Sequence, residues 1–352
     1  MHVHARSRLS LLLLLLCAVA AAAQPAGSSA PNPQALTSAP SKTIGLTVVV
    51  TLQSGQPVAG LRQSDFRILD NKVPQSITSF RALNGSQEPF EVILLIDSVN
   101  TPYIPLARAR TGIDRFLRAN GGHLQYPTAL GILTDQGVQL QRDFIQDGNT
   151  LATFLNNYMI GLRDINRSNG IYGAAQRFQI SIDGFSRLVD YAASRPGRKI
   201  ILWISPGWPL FSSPALQLTM DQTAIFHRIV ALSTELRQSD ITVYNINPWG
   251  AEENMARTYR YEDFLDPVKN PGNATIPTLA LQLFAIRSGG LILSKRNISG
   301  LLQQCVDESK AYYQLSFEPQ PSKRKVQYHS LQVQVMQPGL TARTNTGYYS
   351  QP

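Results

Sequence analysis

The chain is predicted to be an α/β protein: a doubly wound, mostly parallel sheet covered by helices, with a small β-module built from strands at its two ends. Three observations predict it. Val92-Ile93-Leu94-Leu95-Ile96 is an unbroken apolar run closed by Asp97, the pattern of a strand buried on both faces. From there to Cys305, such runs alternate with segments of helical periodicity, which implies a sheet sandwiched between helices. Period-two strands without intervening helices occur before Phe80 and again after Ala311.

Each element has its own warrant. Arg6 and Arg8 precede an apolar run from Leu11 to Leu16, and Ala21-Ala22-Ala23 offers a small-residue cleavage site, so residues 1–23 read as a secretory signal peptide. That run is short for a membrane span, and Cys17 follows Leu16 rather than a small residue, so export and release are expected over lipidation. Residues 24–42, rich in Pro, Ser and Ala, read as a flexible linker. Thr47–Leu52, Phe66–Leu69 and Ile77–Phe80 are strands of an N-terminal β-module over 43–83, with turns at Ser54-Gly55-Gln56-Pro57 and Asp70-Asn71-Lys72.

The α/β domain is expected over 88–310. A helix from Ile104 to Leu117 carries Leu106, Ala109, Ile113 and Phe116 on one face. Leu130–Leu133 and Val138–Leu140 flank Asp135-Gln136-Gly137, a hairpin signal. Phe178, Ile182, Phe185 and Val189 mark a long helix, and Ile200–Ile204 is the next buried strand. Ile225, Ile229, Leu232 and Leu236 mark another helix before strand Ile241–Tyr244. Leu279–Ile286 is helical, Ser288-Gly289-Gly290 stops it, and Leu291–Leu293 is a last strand. Over 311–350, Tyr312–Phe317 and Leu331–Val335 alternate on either side of a polar turn, Pro321–Lys325; they predict a C-terminal hairpin packed on the N-terminal strands.

Composition narrows the function. With 43% hydrophobic and 16% charged residues among 352, the chain should bury a real core. The formal charge of +9 falls to +7 without Arg6 and Arg8, and the basic residues are scattered apart from Lys323-Arg324-Lys325. No aromatic residues interleave with that run, so nucleic-acid binding is not expected. After processing, Cys305 is the lone cysteine, which excludes an internal disulfide and reads as a buried small hydrophobe. His123, His227 and His329 have no metal-ligand spacing, and the chain has no nucleophile elbow, zinc-protease motif or phosphate loop.

In this order and spacing, several stretches resemble the von Willebrand factor type A (vWA) domain, and more narrowly the VWFA-related domain proteins of Acidobacteria. They are Gly60-Leu61-Arg62-Gln63-Ser64-Asp65-Phe66, Gln75–Phe80, Leu94-Leu95-Ile96-Asp97, Arg198–Ser205, Ser288-Gly289-Gly290, Ala311-Tyr312-Tyr313 and Gly347-Tyr348-Tyr349, which span Thr43 to Tyr349. The resemblance implies a vWA/Rossmann-like sheet with a ligand face at the carboxyl ends of its strands. Many such domains hold a divalent cation there through Asp-x-Ser-x-Ser, a Thr from a later loop and an Asp after the fourth strand. By that resemblance Asp97 matches the first ligand, Val99 replaces the first Ser, Thr101 stands for the second, and Asn169 in Ser168-Asn169-Gly170 is the counterpart of the Thr. Pro206-Gly207 occupies the place of Asp-Gly.

Val99 offers no oxygen and Pro206 no carboxylate, whereas Mg²⁺ requires near-octahedral oxygen coordination. A carboxylate about 4 Å from a cation contributes roughly 4 kcal/mol per unit charge at a surface-like dielectric. The expected metal site, Asp97, Thr101 and Asn169, is therefore degenerate, with no cofactor or a weakly held Mg²⁺ or other divalent cation. An alternative role for Asp97 is to cap the following segment or accept backbone hydrogen bonds. The loop Pro206-Gly207-Trp208-Pro209-Leu210-Phe211 is either a lid on the core or a recognition surface. Asp97, Asn100, Tyr103, Trp208 and Phe211 are the expected partner-binding residues. The functional expectation is a secreted, non-enzymatic protein-binding or scaffold module of unknown partner. A structural subunit of an envelope assembly is the alternative, and a hydrolase built on Ser205 a more distant one.

Overall fold

In the computed structural model, residues 43–141, 143–160, 170–209, 221–249, 260–320 and 326–350 are described, all within the compact unit Lys42–Pro352. The signal-peptide and linker readings, Asn169, Phe211 and the Lys323–Lys325 turn lie outside them.

The apolar run becomes strand β5, Phe90–Asp97, with all but Glu91 buried. Its alternating side chains serve two cores, as strand geometry requires. Val92, Leu94 and Ile96 pack on helices α1 (Tyr103–Leu117), α2 (Gly148–Ile160) and α6 (Ile298–Asp307), while Ile93 and Leu95 pack on α3 (Gly170–Ala193), α4 (Gln222–Gln238) and α5 (Leu281–Arg287). The sheet has seven strands in the order β11 (Ile292–Leu293), β10 (Ile241–Ile246), β9 (Arg198–Ile204), β5, β6 (His123–Thr134), β7 (Gly137–Leu140), with β8 (Ile145–Asp147) also on β6. Pairings from β11 through β6 are parallel; β7 and β8 add antiparallel strands at the edge. Gly137 sits at φ +95° in the predicted hairpin, a conformation glycine adopts freely. The chain turns one way from β5 to β6 and the other way from β9 to β10, so β5 and β9 flank the topological switch point.

The remaining strands form two antiparallel four-stranded sheets. One has the order β14 (Leu340–Arg343), β1 (Ile44–Leu52), β12 (Tyr312–Phe317), β4 (Ser79–Leu83); the other is β15 (Gly347–Tyr349), β13 (Tyr328–Val335), β2 (Phe66–Asp70), β3 (Val73–Gln75). Val48, Val50, Leu315 and Phe317 of the first meet Phe66, Ile68, Val333 and Tyr348 of the second in one core. This corrects the C-terminal hairpin: β12 and β13 lie in different sheets, β12 between β1 and β4 and β13 between β15 and β2. Alternation revealed that both strands have a buried face, but it carries no record of which neighbour supplies the backbone hydrogen bonds.

One boundary and one helix also differ. The helix expected from Leu279 begins at Leu281, because Ala280 is extended at φ −60°, ψ 146° after a 3-10 turn, Ile276–Leu279. Helix α2, with Leu151, Ala152 and Leu155 buried, was not anticipated.

Candidate functional site

Asp97 ends β5 and Ser205 follows β9, so the switch point brings together residues 108 apart in sequence. Ser205 Oγ donates to Asp97 Oδ2 at 2.7 Å, and both residues are fully buried. The turn after β5 completes the cluster. The Asn100 backbone N–H donates to Asp97 Oδ1 at 2.8 Å, and its side-chain amide donates to Oδ2 at 2.9 Å and meets Ser181 Oγ of α3 at 2.8 Å. Ser98 anchors the same turn to β6 through Leu133 O, by its N–H at 3.1 Å and its hydroxyl at 2.6 Å.

The loop after β9 is held as firmly. Gly207 N–H donates to Ser205 Oγ at 3.1 Å, and Asn245 Nδ2 donates to Ser205 O at 2.9 Å. Gly207 has φ +96°, a conformation that favours glycine, and a Cβ there would meet the side-chain amide of Gln282. This positions Trp208 in the core. Its indole is fully buried, with ring centroids 5.6 Å from both Trp203 and Phe185 and 6.5 Å from Phe178.

The expected site residues therefore separate. Asp97 and Thr101 are fully buried and Asn100 is half-buried beside Asp97. Tyr103 opens α1 and is 74% exposed, as is its neighbour Ile104 at 71%. Trp208 is corrected from partner contact to core lid, since a fully buried indole presents no surface. The residues that sequence reasoning missed are Ser181 and Asn245; Ser181 hides in a helical stripe pattern, and its sole sequence signal is a small polar residue within an apolar face.

Electrostatically the pocket is short of charge. Burial raises the Asp97 pKa above its ordinary 3.8, opposed by hydrogen bonds from Asn100 and Ser205. Val99, two residues after Asp97, is buried and apolar. Both Asp97 oxygens are already occupied by Asn100 and Ser205. Among the described residues no three His, Cys, Asp or Glu side chains are grouped to hold a metal. Among the described residues this donor set does not fit an octahedral cation: it has one carboxylate, with hydrogen-bond donors on both of its oxygens. The described histidines are elsewhere. His123 and His227 are exposed, and His329 bonds Asp70 at 2.9 Å in the β-sandwich, where Tyr348 also donates to Asp70 at 2.9 Å.

No family model matches the chain, and no curated protein matches it. The structure is similar to that of manganese-loaded Plasmodium vivax TRAP protein, at 9% identity and TM-score 0.35, over 76% of this chain and 97% of that chain. It is also similar to the TFIIH p34 N-terminal domain, at 14% identity and TM-score 0.28, over 63% of this chain and 99% of that one. Both overlaps are loose, so the mixed α/β architecture rests on the strand order itself. Among the described residues no helix is long and apolar enough to cross a membrane.

Proposed function

We propose that the chain is a secreted vWA-like binding module whose metal-type site is closed by its own side chains and whose contact surface is the exposed start of α1. The observation that carries this reading is the pairing of a sealed Asp97 with an adjacent exposed apolar step, Tyr103-Ile104. Asp97 fastens the turn through Asn100, Ser205 joins it to β9, and that rigid rim holds two large apolar side chains in water. Tyrosine is among the residue types that dominate binding hot spots, and open α/β sheets bind their ligands beyond the carboxyl ends of the strands. The partner is a protein, and the module binds it without a cation and without catalysis.

Two measurements test this. Calorimetric titration with Mg²⁺, Mn²⁺ and Ca²⁺ is expected to give no saturable heat; micromolar binding that disappears in Asp97→Ala would overturn the closed site. Affinity capture from envelope and secreted fractions of the native host should retain specific proteins on the unaltered chain and lose them on a Tyr103→Ser, Ile104→Ser double variant. Identical partners on both would remove this face from consideration.

A further inference from the structure

A second site lies away from the carboxyl rim, where helices α4 and α5 meet strands β13 and β15 of the sandwich. A partly enclosed cavity of about 190 Å³ opens there. Its apolar walls include Leu265, Leu283, Tyr328 and Tyr349, and Ser233, Arg287, Ser330 and Thr346 are its polar members. Pockets for drug-sized ligands run to roughly 300–1,000 Å³, so this one suits a smaller molecule, and junctions between layers are where such cavities commonly occur.

Arg287 makes the cavity chemically specific. Its Nη1 donates to Thr278 O at 2.8 Å, and no carboxylate among the described residues pairs with it. Burial pulls its pKa down, and the groups opposing that are the Tyr349 and Tyr328 phenols rather than an acid. Both phenols are themselves held up by burial, Tyr349 to about 12, so they are neutral at ordinary pH. Their hydroxyls are engaged with backbone oxygens, Tyr349 with Val268 at 2.8 Å and Tyr328 with Thr346 at 3.2 Å. Ser233 Oγ is buried and has no hydrogen-bond partner. A guanidinium lacking a carboxylate partner and an unsatisfied hydroxyl thus share a cavity whose apolar walls are Leu265, Leu283 and the tyrosine rings. The Ser233 hydroxyl leaves hydrogen-bonding capacity unused in a place where that is costly.

We propose that this cavity binds a small monocarboxylate with a short apolar tail. The carboxylate would accept from Arg287 and Ser233, and the tail would lie against Leu265, Leu283 and the tyrosine rings. Arginine matches a carboxylate through paired N–H donors, and the apolar walls reject a fully hydrated inorganic anion.

The test uses the full chain, with butyrate, hexanoate and benzoate as probes and butanol, hexanol and benzamide as uncharged matches. Calorimetry and thermal unfolding should show saturable binding and a rising Tm for the acids but not for their matches. Arg287→Gln should weaken acid binding by about tenfold or more, the size of a lost charge-assisted hydrogen bond. Ser233→Leu, which fills the cavity while leaving the guanidinium in place, should abolish the response, and it carries the test if Arg287→Gln fails to fold. Equal responses to benzoate and benzamide, unchanged binding in Ser233→Leu, inorganic phosphate binding as well as hexanoate, or no response to any acid would each overturn the proposal.

Discussion

At the carboxyl end of the central sheet, Asp97 is buried among neutral donors: two from Asn100, one from Ser205. At the end that meets the β-sandwich, Glu308 is equally buried but lies between Tyr244, whose hydroxyl donates at 2.5 Å, and Arg343, also at 2.5 Å. Arg343 reaches on to Gly289 O at 2.8 Å, so a sandwich strand is tied to the α/β layer through an ion pair. Nearby, Arg198 lies 4.4 Å over the Tyr312 ring, and Gln314 donates to Asp240 at 3.2 Å. One end of the sheet thus buries an acid without a counter-charge, and the other buries an acid with one. The physical consequence is opposite behaviour. An uncompensated buried acid favours its neutral form, whereas a buried ion pair is costly to break because removing one partner strands the other charge.

The comparison can be broken by substitution. Trp208→Ala should cost about 4 kcal/mol in urea unfolding, because it empties a space ringed by Trp203, Phe178 and Phe185; a cost near zero would return Trp208 to the surface. Glu308→Ala should cost about 3 kcal/mol by leaving the Arg343 guanidinium buried alone. Asp97→Ala should cost about 2 kcal/mol through donors left unsatisfied, but Asp97→Asn less than about 1 kcal/mol. The amide fits because Asn100 Oδ1 is buried and without a hydrogen-bond partner, so a reoriented Asn100 can accept from it.

The same acid sets a pH signature. With its folded pKa raised above the ordinary 3.8, the native state holds its proton longer than the unfolded chain does. Stability from this group is therefore full at low pH and declines as pH rises from about 4 through the raised value. Unfolding free energies measured against pH should fall more gently in Asp97→Asn than in the unaltered protein; parallel curves would mean that Asp97 titrates normally. The smallest effect belongs to Tyr103→Ala, within about 0.5 kcal/mol, because an exposed side chain at a helix start has little packing to lose.

Much of the fold was legible because it depends on local patterns. The β5 run, the hairpin around Gly137, and the stripes Leu106-Ala109-Ile113 and Phe178-Ile182-Phe185 all announce buried faces through spacing alone. The lone thiol was legible too: Cys305 is buried, and burial pushes its pKa well up, which makes it a filler rather than a nucleophile. The candidate site was half legible. Asp97 could be placed at a strand end, but Trp208 was ambiguous between lid and contact until the Gly207 turn was seen to point it inward.

What the sequence by itself determined is which residues seek burial and which segments have period two or 3.6, since those follow from each residue's own chemistry and its near neighbours. Tertiary structure alone decided the rest: that β12 and β13 join separate sheets, that Ser205 closes on Asp97 across 108 residues, and that Arg287 faces a cavity without an acid beside it. Hydrogen bonds and ion pairs are short-range and directional, so their partners exist only once the chain has brought distant segments within about 3 Å of one another.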